Sequence, residues 1–182
     1  MSSTGWYTVL ILAVAVERLA VFVVSNRNIS WVKQRGGVER GFGHYPFMVF
    51  LHVGLLVGCL LEVWLTDPAF HPWLGWPMLA LVVAAQSLRW WCISTLGHHW
   101  NTRIVVVPGD ELVRTGPYRF FHHPNYVAVV VEGFALPLVH SAWITAAVFT
   151  LANSWLLSIR IPAENSALHE FAAPNSTQVR SS

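Results

Sequence analysis

Apolar residues dominate the chain in long blocks separated by short polar segments. The first block runs from Trp6 to Val24, the second from Pro46 to Leu65 and the third from Met78 to Leu96. Each matches the ~20 residues that carry a helix across ~30 Å of hydrocarbon. A polar stretch, Gly97 to Asn125, follows. Tyr126 to Val139 is apolar but short, with Pro137 near its end, and Trp143 to Ile161 is again long and apolar. The last two blocks predict a tight helical hairpin turning near Leu138 to Ala142, its first member tilted or crossing only partly. Pro162 predicts a break or kink, and the polar segment from Asn165 to Ser182 has no apolar period, which predicts a frayed tail. No internal repeat is visible. The expected architecture is an all-α integral membrane bundle of about five spans. Residues 1–164 form a single domain in this reading.

Composition strengthens this picture. Hydrophobic residues make up 54% and charged residues 11%, against roughly a quarter charged in an ordinary soluble domain. Many of the ten Trp residues flank apolar blocks, where an amphipathic ring prefers the headgroup layer. Cys59 and Cys92 both fall inside apolar blocks, so neither a disulfide framework nor a CxxC site is expected. The N-terminus lacks a basic leader region, and the first block is long enough to remain as a span.

The net charge of +2 says little; its placement says more. Arg27, Lys33, Arg35 and Arg40 lie in one loop, Arg103, Arg114 and Arg119 in another, and Arg160 and Arg180 follow the last span. The intervening loop, the N-terminus and the hairpin turn carry no Lys or Arg; only Arg18 and Arg89 fall within spans. The positive-inside rule then places the N-terminus outside and the basic loops in the cytoplasm, which agrees with an odd number of spans. A bacterial plasma membrane is the expected setting, with no nucleic-acid partner.

Four features can carry chemistry. The run from Arg114 to Tyr126 contains two turn-forming pairs, Gly116-Pro117 and His123-Pro124. Irregular backbone at membrane depth is tolerated only when buried in protein or lining a wet cavity; an interfacial loop anchored to headgroups reads the same way. Arg160 and Glu164 are spaced i, i+4 and share a helix face, as an ordinary helix-end pair also does. Glu132 lies in the middle of the short fourth block, where a carboxylate is costly unless paired or wet. It is a site candidate, or else a packing partner of Arg89. Glu17-Arg18 in the first span is open to the same two readings. The histidines show no HExxH or Cys/His ligand spacing, so no metal site is expected. P-loop and GxGxxG motifs are absent.

Residues 96–168 resemble the isoprenylcysteine carboxyl methyltransferase family. The resemblance rests on Thr115-Gly116-Pro117-Tyr118, His123-Pro124-Asn125-Tyr126, Glu132, Arg160 and Glu164, with the lead-in from Leu96 to Arg103 and Val107-Pro108-Gly109. Three positions depart from the family pattern. His122 stands for an Arg, Ala128 for a Gly, and Asn165 for the second acidic residue of the terminal pair. These departures bear on the family's ordinary protein substrate more than on the cofactor. The N-terminal half, with Glu17-Arg18 and Ser25 to Asn28, resembles a bacterial branch that methylates a hydroxyl of long-chain alkylpyrones.

The resemblance implies S-adenosylmethionine as cofactor. It implies a lipophilic or prenylated acceptor entering from the membrane lipids, and a methyl transferred to an oxygen. Gly116, Tyr118, His123, Pro124 and Tyr126 would bind the cofactor, with Glu164 or Glu132 meeting its ammonium. Arg160 would hold an anionic acceptor, with Glu164 and Glu132 the other reaction candidates. A carboxylate or acidic hydroxyl is already ionised near neutral pH, so no strong general base is required. Phospholipid N-methylation, NADPH-dependent reduction and a non-enzymatic membrane subunit are the competing readings.

Overall fold

The computed structural model describes residues 2–40, 43, 45–110 and 112–171. Five helices form the molecule: α1 (Ser3–Gln34), α2 (Tyr45–Thr66), α3 (Pro72–Leu96), α4 (Pro124–Leu138) and α5 (Trp143–Phe171). All but α4 are long and apolar enough to cross a membrane. At 15 residues, α4 reaches only ~22 Å and falls short of the hydrocarbon thickness. It packs chiefly against α3 and α5. The chain is thus an all-α integral membrane bundle. Large apolar side chains such as Phe50, Leu65 and Leu151 lie exposed on its outer face, where lipid is the solvent.

Two helices run well past the C-terminal ends of their apolar blocks, and α3 begins six residues before its own, at Pro72. α1 continues ten residues past Val24 to Gln34, because its polar extension is held by tertiary bonds. The Ser25 hydroxyl accepts from the Thr102 amide at 3.0 Å. Asn28 donates to the carbonyls of Gly97 and Trp100 at 3.1 and 2.7 Å. The extension stops where Gly36 takes a φ of 79°, a conformation glycine adopts without penalty. α5 likewise does not break at Pro162 but runs on to Phe171. A proline removes one intrahelical bond, and here the later turns are tied to the rest of the protein. The Gly109 amide donates to the Phe171 carbonyl at 3.0 Å. Residues 165–171, expected as the start of a tail, are therefore helical; the remainder of that segment, with Arg180, lies outside the described residues.

A two-stranded ribbon is the one addition to the helical plan among the described residues. β1 (Val38–Arg40) pairs antiparallel with β2 (Ile104–Val106), Val38 opposite Val106. Arg103 and Lys33 both meet Glu39 at 3.1 Å. The ribbon ties the two basic loops together at one end of the bundle.

At the opposite end, Glu62 of α2 accepts from the amides of Ile144 and Thr145 at 3.0 and 2.7 Å. These are orphan donors of the first turn of α5, and a carboxylate there also suits the helix dipole. In the middle, α4 and α5 approach closely at Gly133: an added Cβ would stand 1.9 Å from a Phe149 ring carbon.

Candidate active site

The hairpin of α4 and α5 brings four of the expected residues together. His123 precedes the first turn of α4, with Pro124 opening the helix and Tyr126 one turn in. Arg160 and Glu164 face them from α5. The Tyr126 hydroxyl donates to one oxygen of Glu164 and accepts from Arg160 Nε at 2.8 Å. The other Glu164 oxygen lies 3.5 Å from His123 Nδ1, and His123 Nε2 lies 2.9 Å from Asn165 Oδ1. Arg160 and Glu164 are thus linked through a tyrosine. Both ring nitrogens of His123 face oxygen, an arrangement that favours the doubly protonated ring. Its pKa is raised above the usual value, first by the hydrogen bond to Glu164 and then by that carboxylate's charge, against the opposing effect of burial.

Arg160 is held rigidly. Besides Tyr126, its terminal nitrogens meet the Thr102 carbonyl and, at 3.0 Å, the sulfur of Met48. Three of the five guanidinium N–H groups are used, leaving two for a ligand. Thr102 is itself set in place by Ser25, which meets its amide and hydroxyl; this gives the polar end of α1 its role.

Two cavities meet at this cluster. One, of about 830 Å³, is lined by Arg103, Tyr118, His123, Glu164 and Asn165 among others, at the end carrying the basic loops. The other, of about 220 Å³, runs into the bundle between α1, α2 and α5 and is mostly aliphatic. Trp100, Asn125, Tyr126 and Arg160 belong to the walls of both. Leu19, Phe22 and Val53 line the inner cavity and are also exposed on the outer face of the bundle, so it opens sideways toward lipid.

Glu132 is placed elsewhere. It is fully buried and lines neither cavity. Arg18 reaches its Oε2 at 2.7 Å and Arg89 meets the same oxygen. Gln86 donates to its Oε1 at 3.1 Å and to Glu17 at 3.3 Å. Both of its oxygens are engaged by neighbours in the bundle, and it pairs with Arg89 and with Arg18. Gly116 also stays off both cavity walls. Its φ of 57° opens the short 3-10 turn Gly116–Arg119. An added Cβ there would meet the Thr95 hydroxyl at 2.5 Å. The glycine shapes the turn that carries Tyr118 to the wall.

Met48 is not singled out by sequence reasoning, and Trp100, Thr102 and Asn125 enter it only as motif residues without an assigned role, since a backbone carbonyl or a shared wall has no residue signature. Asn165, a departure from the family motif, proves to be the partner of His123.

Residues 78–170 match the model of the isoprenylcysteine carboxyl methyltransferase (ICMT) family. The chain belongs to this family of methyltransferases. The matched region runs from within α3 nearly to the end of α5, so it contains all four residues shared by the walls of the two cavities; Met48 on α2 and the α1 extension lie outside it. Among relatives, an uncharacterised protein of Bacillus subtilis, YpbQ, is 38% identical over 167 residues, covering 91% of this chain and 98% of the relative. An uncharacterised Haemophilus influenzae protein is 24% identical over 148 residues, covering 80% and 84%. Among solved structures, the eukaryotic intramembrane Ras methyltransferase ICMT shares the fold, with a TM-score of 0.53 and 24% identity over 74% of this chain. The present chain spans about half, 48%, of that protein.

Proposed function

We propose that this membrane methyltransferase uses S-adenosylmethionine and methylates an oxygen of a lipid-tailed acceptor, with the cofactor half at about residues 96–168. One observation carries the reading: a polar cavity and an aliphatic, laterally open cavity share a wall at Arg160 and Tyr126. A cofactor from water and a chain from lipid can meet only at such a junction.

The residues present fit the cofactor. The polar cavity lies within the size range of small-molecule sites. Asn101 Oδ1 and Asn125 Oδ1 on its wall are buried without hydrogen-bond partners, acceptors waiting for the amine or hydroxyl donors of such a molecule. Glu164, with His123 and Asn165 fixing its orientation, would meet the ammonium; Tyr118, Pro124 and Tyr126 would shape the walls. When bound, the cofactor supplies an electrophilic methyl on sulfonium.

The chain's own contribution is positioning. Arg160 would hold the anionic oxygen of the acceptor with its two remaining N–H groups, a charge-assisted contact. Aliphatic walls exclude water and align the reactants, which is the main source of rate when the nucleophile is already ionised. A carboxylate, as in isoprenylcysteine, and an acidic hydroxyl, as in an alkylpyrone, both satisfy this site. The positive-inside rule puts the polar cavity on the cytoplasmic side of a bacterial plasma membrane, with the N-terminus outside.

The test is methyl transfer in nanodiscs, with methyl-labelled S-adenosylmethionine and single-chain amphiphiles bearing carboxylate, acidic hydroxyl or amine heads. Label is expected on the oxygen acids and to fall at least 100-fold in Arg160→Met, as for loss of an oriented charge. Label on amines alone would contradict the proposal.

A further inference from the structure

The inner cavity is not aliphatic throughout. Arg18, His52 and Arg89 lie on its wall. Two polar atoms there, Arg89 Nε and His52 Nε2, are buried with no hydrogen-bond partner. The Arg89 side chain is 2% exposed. An unmade hydrogen bond of this kind is destabilising, and two such atoms belong to residues of this one wall.

The direction of each orphan is fixed. His52 Nδ1 lies 2.7 Å from the Met48 carbonyl, which can only accept. The proton is therefore on Nδ1, and the neutral ring presents a lone pair at Nε2. Arg89 Nε carries a hydrogen and can only donate, while Glu132 holds the far side of that guanidinium. One unpartnered acceptor and one unpartnered donor, on two residues that line the same hollow, match a hydroxyl. A carbonyl or ether oxygen would satisfy the arginine and leave the histidine unpaired.

We propose that the inner cavity is a hydroxyl-reading subsite, and that the lipid acceptor carries a hydroxyl within its apolar part, donating to His52 and accepting from the Arg89 and Arg18 guanidiniums. This rests on the lipid-tailed acceptor proposed above and narrows it. The position also follows. Met48, which touches Arg160, lies one turn before His52 on α2, so the hydroxyl sits ~6 Å deeper than the acceptor's anionic head. An unsubstituted chain would pass the same point without filling either bond.

The experiment measures binding of stearate and of a series of monohydroxystearates, the hydroxyl at successive carbons, to the full chain in nanodiscs saturated with S-adenosylhomocysteine. One hydroxyl position is expected to bind roughly tenfold tighter than stearate. In His52→Phe, which keeps a ring against Phe149, that preference is expected to vanish, hydroxystearate and stearate binding the variant alike. Equal affinity across the wild-type series overturns the subsite without recourse to any variant. A preference that survives in His52→Phe overturns it as well. S-adenosylhomocysteine binding is measured first and separately; its failure strikes the cofactor reading, and the stearate series still decides the subsite.

Discussion

At the scale of single residues, the site is built on interactions that leave little freedom. Glu164 is divided between Tyr126 and His123, and Arg160 is fixed by three partners. His123 is the residue whose protonation can be followed directly. Its pKa is raised by Glu164, so the charged ring is the form stabilised by folding. That contribution is complete below the ordinary histidine value and disappears as pH rises through the raised one. Histidine-selective NMR in detergent should show His123 titrating above 6.5, and Glu164→Gln should bring it down. A titration at or below the ordinary value in the intact protein would break the link between the two. The candidates His123, Tyr126, Arg160 and Glu164 were legible in the sequence through the family motif, Arg160 and Glu164 also through their i, i+4 spacing. Glu132 looked the same by the motif. Only coordinates show Arg18 and Arg89 consuming its charge, since partners on α1 and α3 lie far from it along the chain.

At the scale of elements, the apolar blocks gave the helices but not their ends. Hydropathy sees lipid, and it is silent where a polar turn is stabilised by a distant loop, as at Ser25 with Thr102 or Gly109 with Phe171. The most exposed dependence is the contact of α4 with α5. Because α4 is short, its tilt relative to α5 decides whether Tyr126 reaches Arg160 and Glu164. Gly133 permits the close approach to Phe149. Gly133→Ala gains helix propensity but forces the ring aside, an overpacking cost of about 1–3 kcal/mol. A fall in unfolding temperature, together with weaker S-adenosylhomocysteine binding, is expected in detergent. Unchanged values for both would show that the hairpin can open there without consequence.

At the scale of the molecule, the basic loops are gathered at one end by the β1–β2 ribbon, and the polar cavity lies beneath them. The aliphatic cavity joins it from the side of the bundle. This division into a wet and a lipid-facing entrance follows from a chain with few charges, most of them at one end. The central proposal is that the wet entrance accepts a sulfonium nucleoside. Calorimetry on the purified protein in detergent tests this most directly, titrating S-adenosylmethionine and, separately, NADPH. Saturable binding of S-adenosylmethionine, weakened at least tenfold in Glu164→Gln as expected for loss of a charged contact, with no heat from NADPH, is the predicted result. Binding of NADPH in its place, or S-adenosylmethionine affinity indifferent to Glu164, would contradict it.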